Sequence, residues 1–278
     1  KTMLINHVIS QRKSTSVTVL HCNAQTTAEH VIQRIRQACL LYSTNAGRCY
    51  RPREGDRLVL FLKDINLPRP DKYDTCLLVA FLQQLVTFNG FYDENLEFLG
   101  LERVHIVATM NPATTVGRHH LSTRFTAIVR IAYMDYPTPQ ELGIIYSCYL
   151  RGALHGVTPA DERFRSPDAL SKLASSMVEL FQQVRKKFSI DDHRHYLFTP
   201  RDLTEWVHGL LRYNLSDESL LDVVAYEAQR LFRDRLVSHD SCHKFDSMLV
   251  TIMKSHWRAR IDLGGCVFTT LARGAGVG

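Results

Sequence analysis

The stretch LVLFLKDINLP, residues 58–68, decides the fold of this chain. Its first five residues, 58–62, form a continuous apolar run. A short run of this kind is typical of a strand buried on both faces of a parallel sheet. Lys63 and Asp64 follow at once, so two charged side chains are expected where this strand ends. The stretch therefore predicts an α/β fold with a buried central strand.

Apolar patterns on both sides of this stretch predict that strands and helices alternate. Strands are predicted over 17–21, 104–109 and 128–134, with a hairpin over 91–99 after Asn89-Gly90. Helices are predicted over 3–9, over 27–41 with Thr26 or Thr27 as its cap, and over 75–88. Strands separated by helices predict a βαβ architecture with helices on both faces of the sheet.

The pattern changes after Pro137. Four amphipathic helices are predicted over 141–150, 169–188, 200–213 and 220–237, without a strand between them. The last 21 residues hold five of the 14 glycines and show no sustained period. We therefore expect three regions: a large α/β subdomain at 1–137, an all-helical subdomain at 138–257 and a disordered tail at 258–278.

Composition, charge and cysteine spacing argue against several classes of protein function. The chain has 278 residues, 45% hydrophobic and 22% charged, which is typical of globular protein, and no segment predicts membrane insertion. The formal net charge of +6 and the pI of about 9.0 come without a basic stripe interleaved with aromatics, so nucleic-acid binding is not expected. The seven cysteines lack a Cys-x-x-Cys pair, which favours reduced core thiols in a cytosolic protein. His239, Cys242 and His243 could hold a metal, but a fourth ligand is not evident.

Several polar residues follow in an order that indicates phosphate chemistry. Lys1-Thr2 runs straight into a helix, as the end of a G-x-x-x-x-G-K-[ST] loop does. Residues 58–64 have the layout of a Walker B strand, and Asn111 closes a second buried strand. Arg124 lies beyond it, and Arg201 opens a helix of the all-helical region. Each residue alone also fits a structural role, since surface arginines are mostly solvated or ion-paired. Together, and in this order, they match the layout of an AAA+ ATPase.

The chain resembles the third AAA+ module of dynein heavy chains over about residues 1–257. The segments that carry the resemblance are 65–68, 90–92, 111–112, 117–125, 135–137 and 198–201. The resemblance implies an AAA+ P-loop-type parallel sheet that lacks its first strand, followed by a helical lid. Lys63-Asp64 and residues 21–27 are similar to the cytoplasmic dynein heavy chains of cilia, which drive retrograde intraflagellar transport.

By position, the resemblance assigns a role to each candidate residue. It makes Lys1 the phosphate-binding lysine and Thr2 the hydroxyl on the magnesium side. Asn111 becomes sensor I. Arg124 becomes the arginine finger for the neighbouring module, and Arg201 becomes sensor II.

Lys63-Asp64 replaces the Asp-Glu pair usual before Ile-Asn-Leu-Pro in this family. Two unit charges ~4 Å apart interact by roughly 4 kcal/mol at an effective dielectric of about 20, so Lys63 would oppose magnesium. Asp64 is one methylene shorter than the catalytic Glu that it replaces, and we expect crippled hydrolysis. In the alternative, Lys63 leans away and Asp64 serves the metal.

The family places a first strand between 104–109 and 128–134, ahead of the residue that is Lys1 here. We expect the two strand edges beside its place to lack a partner. The intact module would hold ATP or ADP with Mg²⁺, and the chain as given is expected to bind none.

The resemblance predicts a motor-ring module that couples nucleotide state between neighbours, with weak or no hydrolysis of its own. The alternative is an active ATPase that works through Asp64, and the sequence leaves the choice open. The implied partners are neighbouring AAA+ modules and dynein complex subunits, with microtubules reached only through the stalk of the full-length protein. The implied location is the cytoplasm, the cytoskeleton and the cilium.

Overall fold

The computed structural model describes residues 1–45, 47–155, 162–261 and 263–264. The chain forms two compact units, Lys1–Met134 and a second from Asp135 onward. The first unit holds the strands, and the second holds helices and no strand in the part that the structure describes. The predicted fold class, a parallel α/β sheet followed by a helical lid, is confirmed. Among the described residues, no helix combines the length and the apolar character needed to cross a bilayer.

The elements of the first unit alternate along the chain much as expected. Its strands are β1 (Thr15–His21), β2 (Cys39–Thr44), β3 (Gly47–Pro52), β4 (Arg57–Lys63), β5 (Gly90–Tyr92), β6 (Phe98–Leu101) and β7 (Val104–Thr109). Its helices are α1 (Thr2–Ser10), α2 (Ala28–Ala38), α3 (Leu77–Phe88) and α4 (Thr123–Thr126).

The main sheet is parallel and has the order β1-β4-β7. In β4, Leu58, Leu60 and Leu62 are at most 1% exposed, and they join the core that also takes up residues of α2 and α3. Lys63 is paired with His21 on one side and Thr109 on the other. The three strands therefore end at the same edge of the sheet.

A second sheet has the order β2-β3-β6-β5. The hairpin predicted over 91–99 is confirmed as the antiparallel pair β5 and β6. The helix predicted to reach residue 41 ends at Ala38 instead, because the chain turns extended at Cys39 and pairs with β3. The apolar residues of β2 are compatible with both a helical and a strand period. The hydrogen bonds to β3 select the strand.

The strand predicted over 128–134 is wrong: these residues follow α4 without regular structure. Val129 packs against the core, while Ile131 and Tyr133 are 71% and 82% exposed. An apolar run becomes a strand only where a neighbour completes its hydrogen-bond ladder. Among the described residues, β7 is paired on one side only, with β4.

The second unit is a helical bundle. Its helices are α5 (Pro139–Ala153), α6 (Pro167–Lys187), α7 (Pro200–Leu210), α8 (Leu220–Leu231) and α9 (His239–Trp257). Three begin with Pro directly after Thr138, Ser166 or Thr199, the arrangement that favours a helix start. The four predicted helices are confirmed with shifted ends.

Helix α9 was not predicted, although Phe245, Leu249 and Ile252 give its buried face a helical spacing. The tail expected from residue 258 differs at its start, since Ala259, Ile261 and Leu263 pack against the lid core. Residues 265–278 lie outside the described residues.

One buried charge organises the packing of α7 on α8. Glu227 is fully buried and accepts hydrogen bonds from the Tyr213 hydroxyl (2.6 Å) and from the Arg230 guanidinium (2.7 Å). Its carboxylate lies against Gly209 of α7, where an added Cβ would overlap Oε2 and come within 2.8 Å of Cδ. Because hydrogen bonds hold the Glu227 carboxylate in place, only glycine fits at position 209 of α7.

We expect Gly209→Ala to lower the free energy of unfolding by about 1–3 kcal/mol, because the buried network cannot yield without losing its hydrogen bonds. Chemical denaturation measures the change. The control is Gly143→Ala in α5, where an added Cβ meets only Ser175 Oγ at 3.9 Å. Removing a helical glycine there should raise stability by up to about 0.5–1 kcal/mol. Equal effects at both positions would contradict this account of Gly209.

Candidate functional site

The ends of β4 and β7 meet the start of α1 at one edge of the main sheet. Lys1 directly precedes α1, and its Nζ donates to Met110 O and to Asn111 Oδ1, both at 2.7 Å. Two residues that the sequence assigned to one site, Lys1 and Asn111, are thus brought into contact. Asn111 follows β7 by two positions, so the strand end sets where its amide lies.

Asp64 is the first residue beyond β4, and its carboxylate is held by an arginine. Its Oδ1 accepts a hydrogen bond from Arg118 Nη1 at 2.8 Å. The Arg118 side chain is 12% exposed and that of Asp64 40%. Asp64 also has a φ of 61°, in the left-handed region that non-glycine residues seldom adopt. The backbone bond from Ile65 N to Thr109 O (3.1 Å) fixes the chain just after this turn.

Asn66 connects the remaining members of the site. It is 2% exposed, and its Nδ2 donates to Asn111 O at 2.8 Å, while its Oδ1 accepts from Arg118 at 3.3 Å. Its carbonyl accepts from His119 N at 3.0 Å. We refer to Lys1, Asp64, Asn66, Asn111 and Arg118 as the strand-end network.

Sequence reasoning gave Asn66 and Arg118 no role. Both stand inside segments that carry the resemblance, 65–68 and 117–125. The signal available in the sequence is the polar Asn66 shortly after a strand that is expected to be buried, since a buried amide needs hydrogen-bond partners. Spacing alone did not show that the two residues contact each other.

Lys63 takes no part in the strand-end network. Its ammonium lies over the ring of Phe61, 5.5 Å from the ring centroid. Within the described chain its side chain has no ion pair or hydrogen bond. On the neighbouring strand, the backbone N–H of Cys22 donates to Lys63 O at 2.9 Å. Burial raises the pKa of the Cys22 thiol to about 11, and the Asp64 charge contributes in the same direction. Cys22 therefore stays protonated beside the site at neutral pH.

Among the described residues, Thr2 and Arg124 make no side-chain bond within the strand-end network. Thr2 begins α1 next to Lys1. Arg124 lies in α4, exposed and without an ion pair or hydrogen bond among the described residues. Arg201 lies in the second unit, at the second position of α7, and is exposed. The structure thus joins Lys1, Asn111 and Asp64 in one network.

The donor set at this edge suits phosphate better than a divalent metal. Magnesium prefers carboxylate and other oxygen ligands, and here the carboxylate of Asp64 is already paired with Arg118. Lys1, Lys63 and Arg118 are cationic side chains of the kind that bind phosphate. Among the described residues, no group of three or more His, Cys, Asp or Glu could hold a metal, the cluster around Cys242 included. The residues present do not fit a magnesium site of their own.

Comparison with known families identifies the class. A family described as the P-loop containing dynein motor region matches residues 1–137, and one described as the dynein heavy chain ATPase lid domain matches residues 149–242. The chain belongs to the dynein heavy chain family, as an AAA module with its lid. The resemblance to an AAA+ module of dynein heavy chains is confirmed.

Among individual relatives, the chain is similar to several cytoplasmic dynein heavy chains. The chain is 52% identical over 265 residues to cytoplasmic dynein 2 heavy chain 1 of Tripneustes gratilla and 48% identical over 268 residues to that of Homo sapiens. It is 33% identical over 281 residues to the cytoplasmic dynein heavy chain of Saccharomyces cerevisiae. These matches cover 93%, 94% and 98% of this chain, but only 6%, 6% and 7% of the relatives.

We expect Asn66→Ala to destabilise the first unit by about 1–3 kcal/mol, because it leaves Asn111 O without its buried donor and removes one of the two acceptors of Arg118. Hydrogen exchange at the ends of β4 and β7 measures the change locally. The matched control is Asn95→Ala, at an exposed position between β5 and β6. If Asn66→Ala were as mild as Asn95→Ala, Asn66 would not hold the two strand ends together.

Proposed function

We propose that this chain works as a nucleotide-binding AAA+ module in the motor ring of a ciliary dynein heavy chain. In this proposal it passes nucleotide-dependent changes to its ring neighbours and hydrolyses ATP weakly or not at all. The observation that carries the proposal is the ion pair between Asp64 and Arg118 at 2.8 Å, directly after β4. A carboxylate held in this way is poorly placed to activate a water molecule.

The proposal gives each candidate residue a role toward ATP or ADP. Lys1 binds phosphate, and its contact with Asn111 Oδ1 orients both side chains toward the same position. Asn111 positions a water or senses the terminal phosphate. Thr2 offers a hydroxyl at the start of α1, where backbone N–H groups also favour anions. Arg201, at the second position of α7, takes the sensor II role that the resemblance implies.

The second candidate is an active ATPase that works through Asp64 as base and metal ligand. One observation favours it: the Lys63 ammonium lies back over Phe61 and so leaves Asp64 as the charge nearest the end of the strand. Against it stands Arg118, which neutralises the same carboxylate. We favour the coupling role because hydrolysis would first require that ion pair to break.

The wider role follows from the relatives and belongs to the full-length protein. We propose that the heavy chain moves along microtubules through its stalk and serves ciliary transport, as the intraflagellar transport motor. The partners of this module are then its ring neighbours, and dynein complex subunits bind elsewhere on the heavy chain. The expected locations are the cytoplasm, the cytoskeleton and the cilium.

In the full-length heavy chain, we expect Asp64→Asn to leave the steady-state ATPase rate within about twofold of wild type. The amide keeps an acceptor for Arg118 but cannot act as a base, and loss of a working general base costs about 10²–10⁴-fold in the step it serves. A phosphate-release assay measures the rate. A large fall in a folded variant would favour the active ATPase instead.

For Arg124 we expect an effect in trans. Because its side chain is exposed and unpaired among the described residues, Arg124→Ala should change motor velocity or ATPase coupling without lowering the melting temperature. Arg12→Ala is the control, since Arg12 is also exposed and lies outside the site. A fall in melting temperature with normal velocity would show that Arg124 is structural.

A further inference from the structure

We propose that the phosphate site beside β4 and β7 binds its nucleotide without a divalent metal, with Lys63 supplying the charge that the metal would bring. The proposal rests on the proposed function, because it assumes that this edge of the sheet binds nucleotide phosphates. It concerns the chemistry of the bound species, a metal-free nucleoside di- or triphosphate.

The charges at the site favour an anion over a cation. Three cationic side chains, Lys1, Lys63 and Arg118, stand at the strand ends, and Asp64 is the carboxylate among them. Asp64 balances Arg118 at 2.8 Å, so the ammonium groups of Lys1 and Lys63 remain without a carboxylate in the described chain. A magnesium ion would add charge of the same sign, whereas phosphate oxygens would neutralise these ammonium groups.

Lys63 is held loosely enough to serve a ligand. At 5.5 Å from the ring centroid, the contact with Phe61 is a weak cation–π interaction that leaves the N–H donors of the ammonium unused. The backbone of Lys63 is fixed by pairing with His21 and Thr109, so only the flexible side chain has to move. A lysine binds phosphate as a compact point charge and needs no particular approach geometry.

The strand-end network supports the same conclusion. Asn66 and Asn111 connect Arg118 to Lys1 through hydrogen bonds of 3.3, 2.8 and 2.7 Å, so these two cationic side chains are held relative to each other without a metal. A metal-binding site would need its carboxylate free to coordinate. Here the carboxylate positions an arginine instead.

The test uses the full-length heavy chain and the variants Lys63→Asp and Lys63→Met. Each protein is loaded with ATP in Mg²⁺ buffer and desalted either into Mg²⁺ or into EDTA. Retained ATP and ADP per chain are then counted by chromatography after denaturation. Lys13→Asp, at an exposed lysine ahead of β1, is the charge-matched control.

We expect wild type and Lys13→Asp to keep one more nucleotide per chain in EDTA than either Lys63 variant does. Lys63→Asp should keep that nucleotide in Mg²⁺. In EDTA it should lose the nucleotide at least tenfold faster than wild type does, because a carboxylate restores the need for a metal. Lys63→Met should bind more weakly in both buffers. Unchanged melting temperatures would show that the variants are folded.

The overturning result is equal loss of nucleotide in EDTA from wild type and from both Lys63 variants. That outcome would leave nucleotide binding by the module intact. Failure of the proposed function gives a different result: Lys1→Ala would then leave the nucleotide count unchanged in both buffers, which would mean that this edge binds none.

Discussion

The burial of β4 between β1 and β7 is the constraint on which the first unit depends. Its leucines and Phe61 are almost completely buried on opposite faces, so a shift of the strand by one residue would move each of these side chains into packing shaped for another. The polar residues from Lys63 to Asn66 must therefore leave the sheet at one edge. Because all three strands are parallel and end together there, Asn111 leaves β7 at the same edge. The apolar residues of the strands thus determine where the site lies.

The polar contacts then decide what the site can do. Asn66 is buried, and it fixes Arg118 and the backbone of Asn111 relative to each other. Arg118 in turn holds Asp64, whose left-handed backbone conformation is costly for a non-glycine residue. The chain thus uses its carboxylate to position an arginine. This arrangement is the structural basis on which we propose that the site holds phosphate and does not activate water.

The sequence predicted most of what depends on local pattern and missed what depends on distant partners. Buried runs and helical periods placed β1, β4, β7 and most helices, since each carries its own periodicity. Residues 128–134 carry the same apolar character, but a strand also needs a hydrogen-bonding neighbour. Helix α2 was extended too far because β2 forms only by pairing with β3. Asp64 and Arg118 are 54 positions apart in the sequence, so no local residue spacing predicts their contact.

The backbone of Lys63 serves the fold and its side chain serves the chemistry of the site. The position can therefore hold a lysine where the resemblance implies a carboxylate. Its backbone takes part in the sheet through ladder bonds that any residue can make. Its side chain lies over Phe61, outside the strand-end network, so none of the hydrogen bonds of that network depends on it. A change of charge at this position therefore costs the fold little. In the inference drawn above, it changes the charge that the site offers to a ligand, while the strand-end network keeps its geometry.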